Sequence, residues 1–212
     1  MNQQVLALRG VGGYRQYRIP AMAVTNSGRL IAIYDARADF DDLPCPVDLV
    51  IRTSDDNGAS WAQAKVPTRQ MLTSVFFIDD KKGWVTGHDA LILATEDGGA
   101  TWTEQFIDLE REAPLLDIWF KNAEQGFAVG AYGALLETTD GGANWEDVSD
   151  RLDNEDQHHL NSITEVKDSG LFAVGEMGGM YRSGDWGQTW ETVEGPYEGS
   201  LFGALGTGET GG

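Results

Sequence analysis

An all-β chain of repeated small sheets is what this sequence predicts, and three observations predict it. Its apolar residues come in short runs, such as Leu30–Tyr34, Leu91–Ala94 and Phe172–Val174, broken by Gly, Asn and Asp, which is strand spacing and not helix spacing. Its 27 glycines against six prolines signal many tight turns, because glycine reaches positive φ without steric cost. An eight-residue pattern, Ser-x-Asp-x-Gly-x-Ser/Thr-Trp, recurs four times.

The octads are Ser54-Asp55-Asp56-Asn57-Gly58-Ala59-Ser60-Trp61, Thr95-Glu96-Asp97-Gly98-Gly99-Ala100-Thr101-Trp102, Thr138-Thr139-Asp140-Gly141-Gly142-Ala143-Asn144-Trp145 and Ser183-Gly184-Asp185-Trp186-Gly187-Gln188-Thr189-Trp190. Their chemistry is that of a self-bracing turn. The carboxylates of Asp56, Asp97, Asp140 and Asp185 and the flanking hydroxyls can bond the turn backbone. Gly58, Gly99, Gly142 and Gly187 supply the left-handed position, and Trp61, Trp102, Trp145 and Trp190 bury a ring as an anchor. Asn144 departs from the pattern. Each octad is expected to be a structural hairpin tip and not a carbohydrate or metal site.

Successive octad tryptophans are 41, 43 and 45 residues apart, the period of a β-propeller blade of four short strands, often called an Asp-box repeat. The chain holds about five such units. The second is read as strands Ser74–Ile78, Trp84–Gly87 and Leu91–Thr95 leading into its octad. The third has Leu115–Phe120, Phe127–Gly130 and Ala134–Thr138, and the fourth Ser162–Val166, Leu171–Gly175 and Met180–Ser183. Blades are therefore expected over residues 17–65, 70–107, 113–148 and 158–193 of a single domain. The ends, 1–16 and 199–212, are expected to share a closing blade, with Val5–Arg9 and Ser200–Leu205 as strands, which removes the open sheet edges of an array.

Composition excludes several partners. A formal charge of −19 and a pI near 4.3 repel phosphate backbones and anionic lipid, and no cluster of Lys or Arg is read as a local exception. Cys45 is alone, so neither an internal disulfide nor a zinc knuckle is expected. Met1-Asn2-Gln3-Gln4 lacks a basic leader region and no apolar run reaches membrane-span length, so a soluble chain is expected, with no compartment indicated. No metal, cofactor, nucleic-acid or membrane partner is expected, and the chain is read as a monomer.

Because strands alternate direction, the octads share one face with the turns Asn26–Gly28, Asp79–Gly83, Asn122–Gly126 and Lys167–Gly170. The opposite face collects Arg18, Arg37 to Asp48, His88 and Asp89, Ala131 to Gly133, His158 and His159, and Glu176 to Gly178, and any ligand pocket would draw on this set. His158 and His159 are adjacent, so they point to opposite sides, and no third ligand has defined spacing. His88-Asp89 reads as a turn with an Asx-type bond in place of an acid/base pair.

The run Tyr17-Arg18-Ile19-Pro20-Ala21-Met22, with Gly28-Arg29-Leu30-Ile31-Ala32 and Tyr34-Asp35-Ala36-Arg37, resembles the first blade of bacterial sialidases over about residues 10–65. The resemblance implies that Arg18 grips a sialic-acid carboxylate, for which a planar guanidinium is suited. It makes Asp42, in Asp41-Asp42-Leu43-Pro44, the match of the general acid/base, and Arg37 the match of the arginine before that loop. From about Ser74 onward, Gly-Phe-Ala-Val-Gly (126–130) and Leu-Phe-Ala-Val-Gly (171–175), each leading to an octad, resemble propellers of the photosystem II stability and assembly-factor type, whose members are assembly factors and not enzymes.

A sialidase also needs two more carboxylate-gripping arginines and a Tyr–Glu nucleophile pair. Arg69, Arg111, Arg151 and Arg182, like Tyr132 and Tyr197, lie in no matching context. Without a nucleophile opposite the acid, a glycoside is not hydrolysed, so no catalytic residue is expected and exo-α-sialidase is the activity only if there is one. The change of style between about Lys65 and Ser74 reads as a recombined or engineered chimeric scaffold without catalysis. Two alternatives stand beside it: a binding or assembly module of the stability-factor type, and a sialidase-like hydrolase with an incomplete site.

Overall fold

The computed structural model describes residues 5–38, 47–167 and 169–206. The Gly, Asn and Asp breaks cut these residues into sixteen short strands, and every pairing between them is antiparallel. Four sheets result, each of four strands ordered as they follow in sequence. The first holds β1 (Gln16–Val24), β2 (Leu30–Arg37), β3 (Val47–Ser54) and β4 (Ala62–Gln63). The second holds β5 (Leu72–Phe77), β6 (Gly83–Gly87), β7 (Ile92–Thr95) and β8 (Thr103–Phe106). The third holds β9 (Leu115–Phe120), β10 (Gly126–Gly130), β11 (Leu135–Thr138) and β12 (Glu146–Asp147). The fourth holds β13 (Leu160–Val166), β14 (Gly170–Gly175), β15 (Met180–Ser183) and β16 (Glu191–Thr192). Among the described residues no helix is long and apolar enough to cross a membrane.

The chain divides into two compact units, Met1–Glu112 with the first two sheets and Ala113–Gly212 with the other two. In the first unit the period-two alternation of β2 and β3 turns Ile31, Ile33 and Ile51 to one face, where they pack with Leu72, Val85, Leu91, Leu93 and Trp102. The other face carries Tyr34, Ala36 and Val50, covered by Leu6, Ala7, Tyr14 and Tyr17. In the second unit Leu115, Ile118, Phe127, Val129, Leu135, Ile163, Leu171 and Ala173 are buried.

The closing-blade strands are not formed by the described parts of the two ends: residues 5–15 and 199–206 carry no strand. Backbone turns take up the first segment, with Val11 N–H donating to the Leu8 carbonyl and Gly10 N–H to the Tyr14 carbonyl, both at 3.0 Å. The second segment is held against β13 and β14, Leu201 N–H donating to the Gly175 carbonyl (2.9 Å) and Asn161 Nδ2 to the Leu201 carbonyl (2.9 Å).

The four octads are the turns into the last strand of each sheet, and their bonding repeats. The first hydroxyl (Ser54, Thr95, Thr138, Ser183) donates to the Asp at 2.8–3.0 Å and accepts the glycine N–H at 2.7–3.0 Å. The Asp then accepts the N–H and the side chain of the seventh residue at 2.6–2.9 Å. Asn144 fills that seventh place with its amide, which donates to Asp140 Oδ2 at 2.7 Å, so its departure from the pattern leaves the bracing intact. The tryptophans are less uniform than expected. Only Trp102 is fully buried, while Trp61, Trp145 and Trp190 are half-buried. Trp61 and Trp102 donate Nε1–H to the box glycine carbonyl (3.0 and 3.1 Å), whereas the buried Nε1 atoms of Trp145 and Trp190 have no partner among the described residues.

These bonds hold the carboxyls ionised. Asp56 is lowered from 3.8 to about 2 by the Ser60 N–H, the Ser60 hydroxyl and the Ser54 hydroxyl. Asp185 is lowered to about 2 by the Thr189 side chain and N–H. Asp140 is lowered by Asn144, and for Asp97 burial pulls upward but the bonds from Thr101 and Thr95 outweigh it. A carboxyl whose folded value is depressed adds stability that is complete above the unfolded value, here 3.8, and lost as pH falls through about 2. The urea midpoint is therefore expected to fall across that window, and the double variant Asp56→Asn/Asp185→Asn to have a shallower acid limb. A parent midpoint constant from pH 5 to about 2 is the result that contradicts this.

Candidate functional site

Three residues carry the hydrolase-like expectation. Asp42 lies outside the described residues. Arg18 and Arg37 come from the first sheet, and the structure separates their roles. Pro20 has no N–H to give the β1–β2 ladder, and the register shifts between Arg18 and Ala21. Just before that shift Arg18 is exposed, at the rim of a cavity of about 360 Å³ lined also by Val5, Leu6, Ala7, Tyr17, Pro20 and Tyr34. Among the described residues no carboxylate lines it. The Tyr17 and Tyr34 rings meet edge to face at 5.7 Å, and the buried Tyr34 hydroxyl has no hydrogen-bond partner among the described residues. Burial pushes that phenol above its ordinary value, and Arg52 opposes the shift.

Arg37 is elsewhere. Alternation along β2 puts Asp35 and Arg37 on the face of Ile31 and Ile33, and there they form a buried ion pair. The Arg37 Nε and Nη2 atoms each lie 2.8 Å from Asp35 Oδ2, and the residues are 3% and 2% exposed. Arg37 Nη2 also lies 3.8 Å from Met71 Sδ. Arg37 is thus a buried guanidinium paired with a carboxylate of its own strand.

Charge is unevenly distributed along the chain, contrary to the expectation of no local cluster of Lys or Arg. The first 34 residues contain four arginines and no Asp or Glu, so Arg9, Arg15 and Arg18 make a locally basic stretch in an acidic chain. Arg52 adds to it, donating to the Leu6 carbonyl at 2.9 Å with its guanidinium carbon 6.0 Å from the centre of the Tyr34 ring. The signal was present in the composition of this stretch alone and is averaged away in the whole-chain charge.

The second-to-third-strand turns form the other candidate surface. His88 is half-buried in the turn after β6, where burial lowers its imidazole below the ordinary value. That turn is closed by Leu91 N–H donating to the His88 carbonyl (3.2 Å), a backbone bond in place of the expected Asx-type one. In the second unit Tyr132 and Met177 occupy matching places in the turns after β10 and β14, both with left-handed backbone (φ 57° and 52°) and both exposed (61% and 63%). The Tyr132 ring meets the His159 ring edge-on at 5.2 Å. His159 N–H donates to Glu176 Oε2 (3.2 Å), and its Nδ1 lies 3.8 Å from Glu176 Oε1. The His158 N–H instead meets Asn154 Oδ1 (3.1 Å), and among the described residues no three His, Cys, Asp or Glu side chains converge as metal ligands.

Two arginines to which the sequence assigns no role of their own, Arg29 and Arg151, tie neighbouring sheets within each unit. Arg29 forms a bidentate pair with Asp55 (2.6 and 3.0 Å) and donates Nη1–H to the carbonyl of Gly98 in the next octad (3.1 Å). Arg151 Nη1 donates to Glu137 Oε2 (2.7 Å) and to the carbonyl of Gly187 in the fourth octad (2.9 Å). Trp186, itself left-handed (φ 62°) just before Gly187, stacks on Trp119 at 6.1 Å and carries the Lys121 ammonium 4.0 Å from its ring centre. These contacts are structural, and they account for the octads as docking elements between sheets.

Comparison with known proteins bears on both candidate surfaces. The family described as photosynthesis system II assembly factor YCF48 matches residues 53–113 and 104–203. The first of these matches runs without interruption across the stretch from Lys65 to Ser74. A sialidase of Micromonospora viridifaciens is 39% identical over 72 residues, which is 34% of this chain and 11% of that protein. The chloroplast photosystem II stability/assembly factor HCF136 of Cyanidioschyzon merolae is 35% identical over 98 residues, 45% of this chain and 18% of the relative. Among solved structures, YCF48 bound to D1 peptide superposes with a TM-score of 0.56 at 27% identity, over 65% of this chain and 44% of that one. The chain thus spans less than half of each of these three relatives. The four sheets are blades of a β-propeller fold of sialidase-like and assembly-factor-like kind.

Proposed function

The chain belongs to the photosynthesis system II assembly factor YCF48 family, and from that premise we propose that it is a non-catalytic module that binds a segment of another polypeptide. The observation that carries the reading is the family match over residues 53–203, which takes in three of the four sheets. A relative in that group is seen with a D1 peptide bound. The first sheet supports the same reading from the other side: Arg37 pairs with Asp35 in the core, and among the described residues no carboxylate lines the cavity beside Arg18.

The hydrolase reading is kept only for the 39% identity with a sialidase and the Tyr17-Arg18-Ile19-Pro20 run. One experiment separates the two. The full chain is incubated with a fluorogenic sialoside and, in parallel, applied to an array of overlapping peptides that includes D1. Retention on a subset of peptides with no sialoside turnover is expected. Turnover that disappears in Asp42→Ala, with no peptide retained, overturns the reading.

A further inference from the structure

Resting on the peptide-binding reading, we infer that the second unit recognises a basic peptide segment, one that carries Lys or Arg beside an apolar side chain, on the turn surface around Tyr132, His159 and Met177. The surface is contiguous. Tyr132 meets His159, whose N–H bonds Glu176, and Met177 follows Glu176 in the turn. Gly178 N–H then donates to the Gly199 carbonyl at 2.7 Å, which sets the 58% exposed Tyr197 alongside. Three large side chains, Tyr132, Met177 and Tyr197, are thus more than half exposed along one connected stretch. Isolated exposed apolar residues need no explanation, whereas three on adjoining turns make a candidate contact surface.

Charge selects the occupant. The segments that build this surface, 131–134, 152–159, 176–179 and 193–201, contain Asp153, Glu155, Asp156, Glu176, Glu194 and Glu198 and no Lys or Arg. The nearest cation in sequence, Arg151, is held by Glu137 and the Gly187 carbonyl. An acidic partner meets only like charge here. A basic one gains Coulomb attraction from the carboxylates and the faces of Tyr132 and Tyr197 for its cations, while Met177 adapts to its apolar side chain.

The test uses the full chain and two fluorescein-labelled decapeptides, one alternating Lys with Phe and Leu, the other identical but with Glu in place of Lys, read by fluorescence anisotropy. The Lys peptide is expected to bind at least about tenfold more tightly than the Glu peptide and to weaken severalfold at high salt. Tyr132→Ala/Met177→Ala is expected to weaken it about tenfold, as is the charge reversal Glu176→Lys/Glu198→Lys. Glu124→Lys/Glu146→Lys, on the octad side of the same unit, is expected to leave it nearly unchanged, and thermal melts confirm that each variant is folded. Equal binding of the two peptides, or a Lys-peptide affinity unmoved by Tyr132→Ala/Met177→Ala, overturns the inference and leaves peptide binding standing. Failure of both peptides and of the peptide array overturns both.

Discussion

Replacing Asp35 by Ala is expected to cost about 3–5 kcal/mol of folding free energy, the range for removing one partner of a buried ion pair. Both residues are nearly inaccessible, so the Arg37 guanidinium keeps its charge and loses the carboxylate that faces it at 2.8 Å. The pair is not thereby a net source of stability. Taking two charges out of water is costly, and Asp35 Oδ1 is itself buried with no hydrogen-bond partner among the described residues. The double variant Asp35→Ala/Arg37→Met is accordingly expected to regain much of the loss, because it removes both charges and keeps an apolar stem against Met71. Urea unfolding of the three proteins measures this. A cost below about 1 kcal/mol for Asp35→Ala would show that Arg37 leaves the core when released.

Gly187→Ala is expected to cost about 3 kcal/mol, from two separate sources. Gly187 has a left-handed backbone at φ 93°, which a Cβ disfavours, and that Cβ would sit closer to the ring of Phe127 than the 3.0 Å that real Cβ atoms keep. Phe127 is fully buried and cannot swing away. Gly99→Ala is the control. It shares the left-handed backbone (φ 85°), but its Cβ would meet its nearest neighbour, the Thr53 methyl, at 3.4 Å, an ordinary contact. Gly99→Ala is therefore expected to lose only about 1 kcal/mol. Equal losses in thermal or urea melts would mean that the ring does not limit the fourth octad.

Much of the fold is legible in the residues because the octad fixes where strands end. The expected spans Leu115–Phe120 and Met180–Ser183 coincide with β9 and β15. Other strand ends shift by a residue or two, where bulges such as those at Leu72/Ser74 and Leu160/Ser162 lengthen the first strand of a sheet. The site is less legible. Asp35 and Arg37 are two apart in a strand and so share a face, a pattern the sequence does contain, but the same Arg37 also fits the hydrolase-like run. The meeting of Tyr132, His159, Met177 and Tyr197 has no such local signal, since it depends on turns up to 65 residues apart converging. The same holds for Arg29 with Gly98 and Arg151 with Gly187, where nothing near either arginine announces the carbonyl it reaches.

The bonds that brace each octad join residues no more than four positions apart. Such a corner closes with little loss of loop entropy, so each hairpin is able to form early and without waiting for distant chain. A duplicated repeat therefore brings its own folding nucleus with it. A repeat added to such a gene carries its own corner with it, while its apolar face and its arginine clasp wait for a neighbouring sheet.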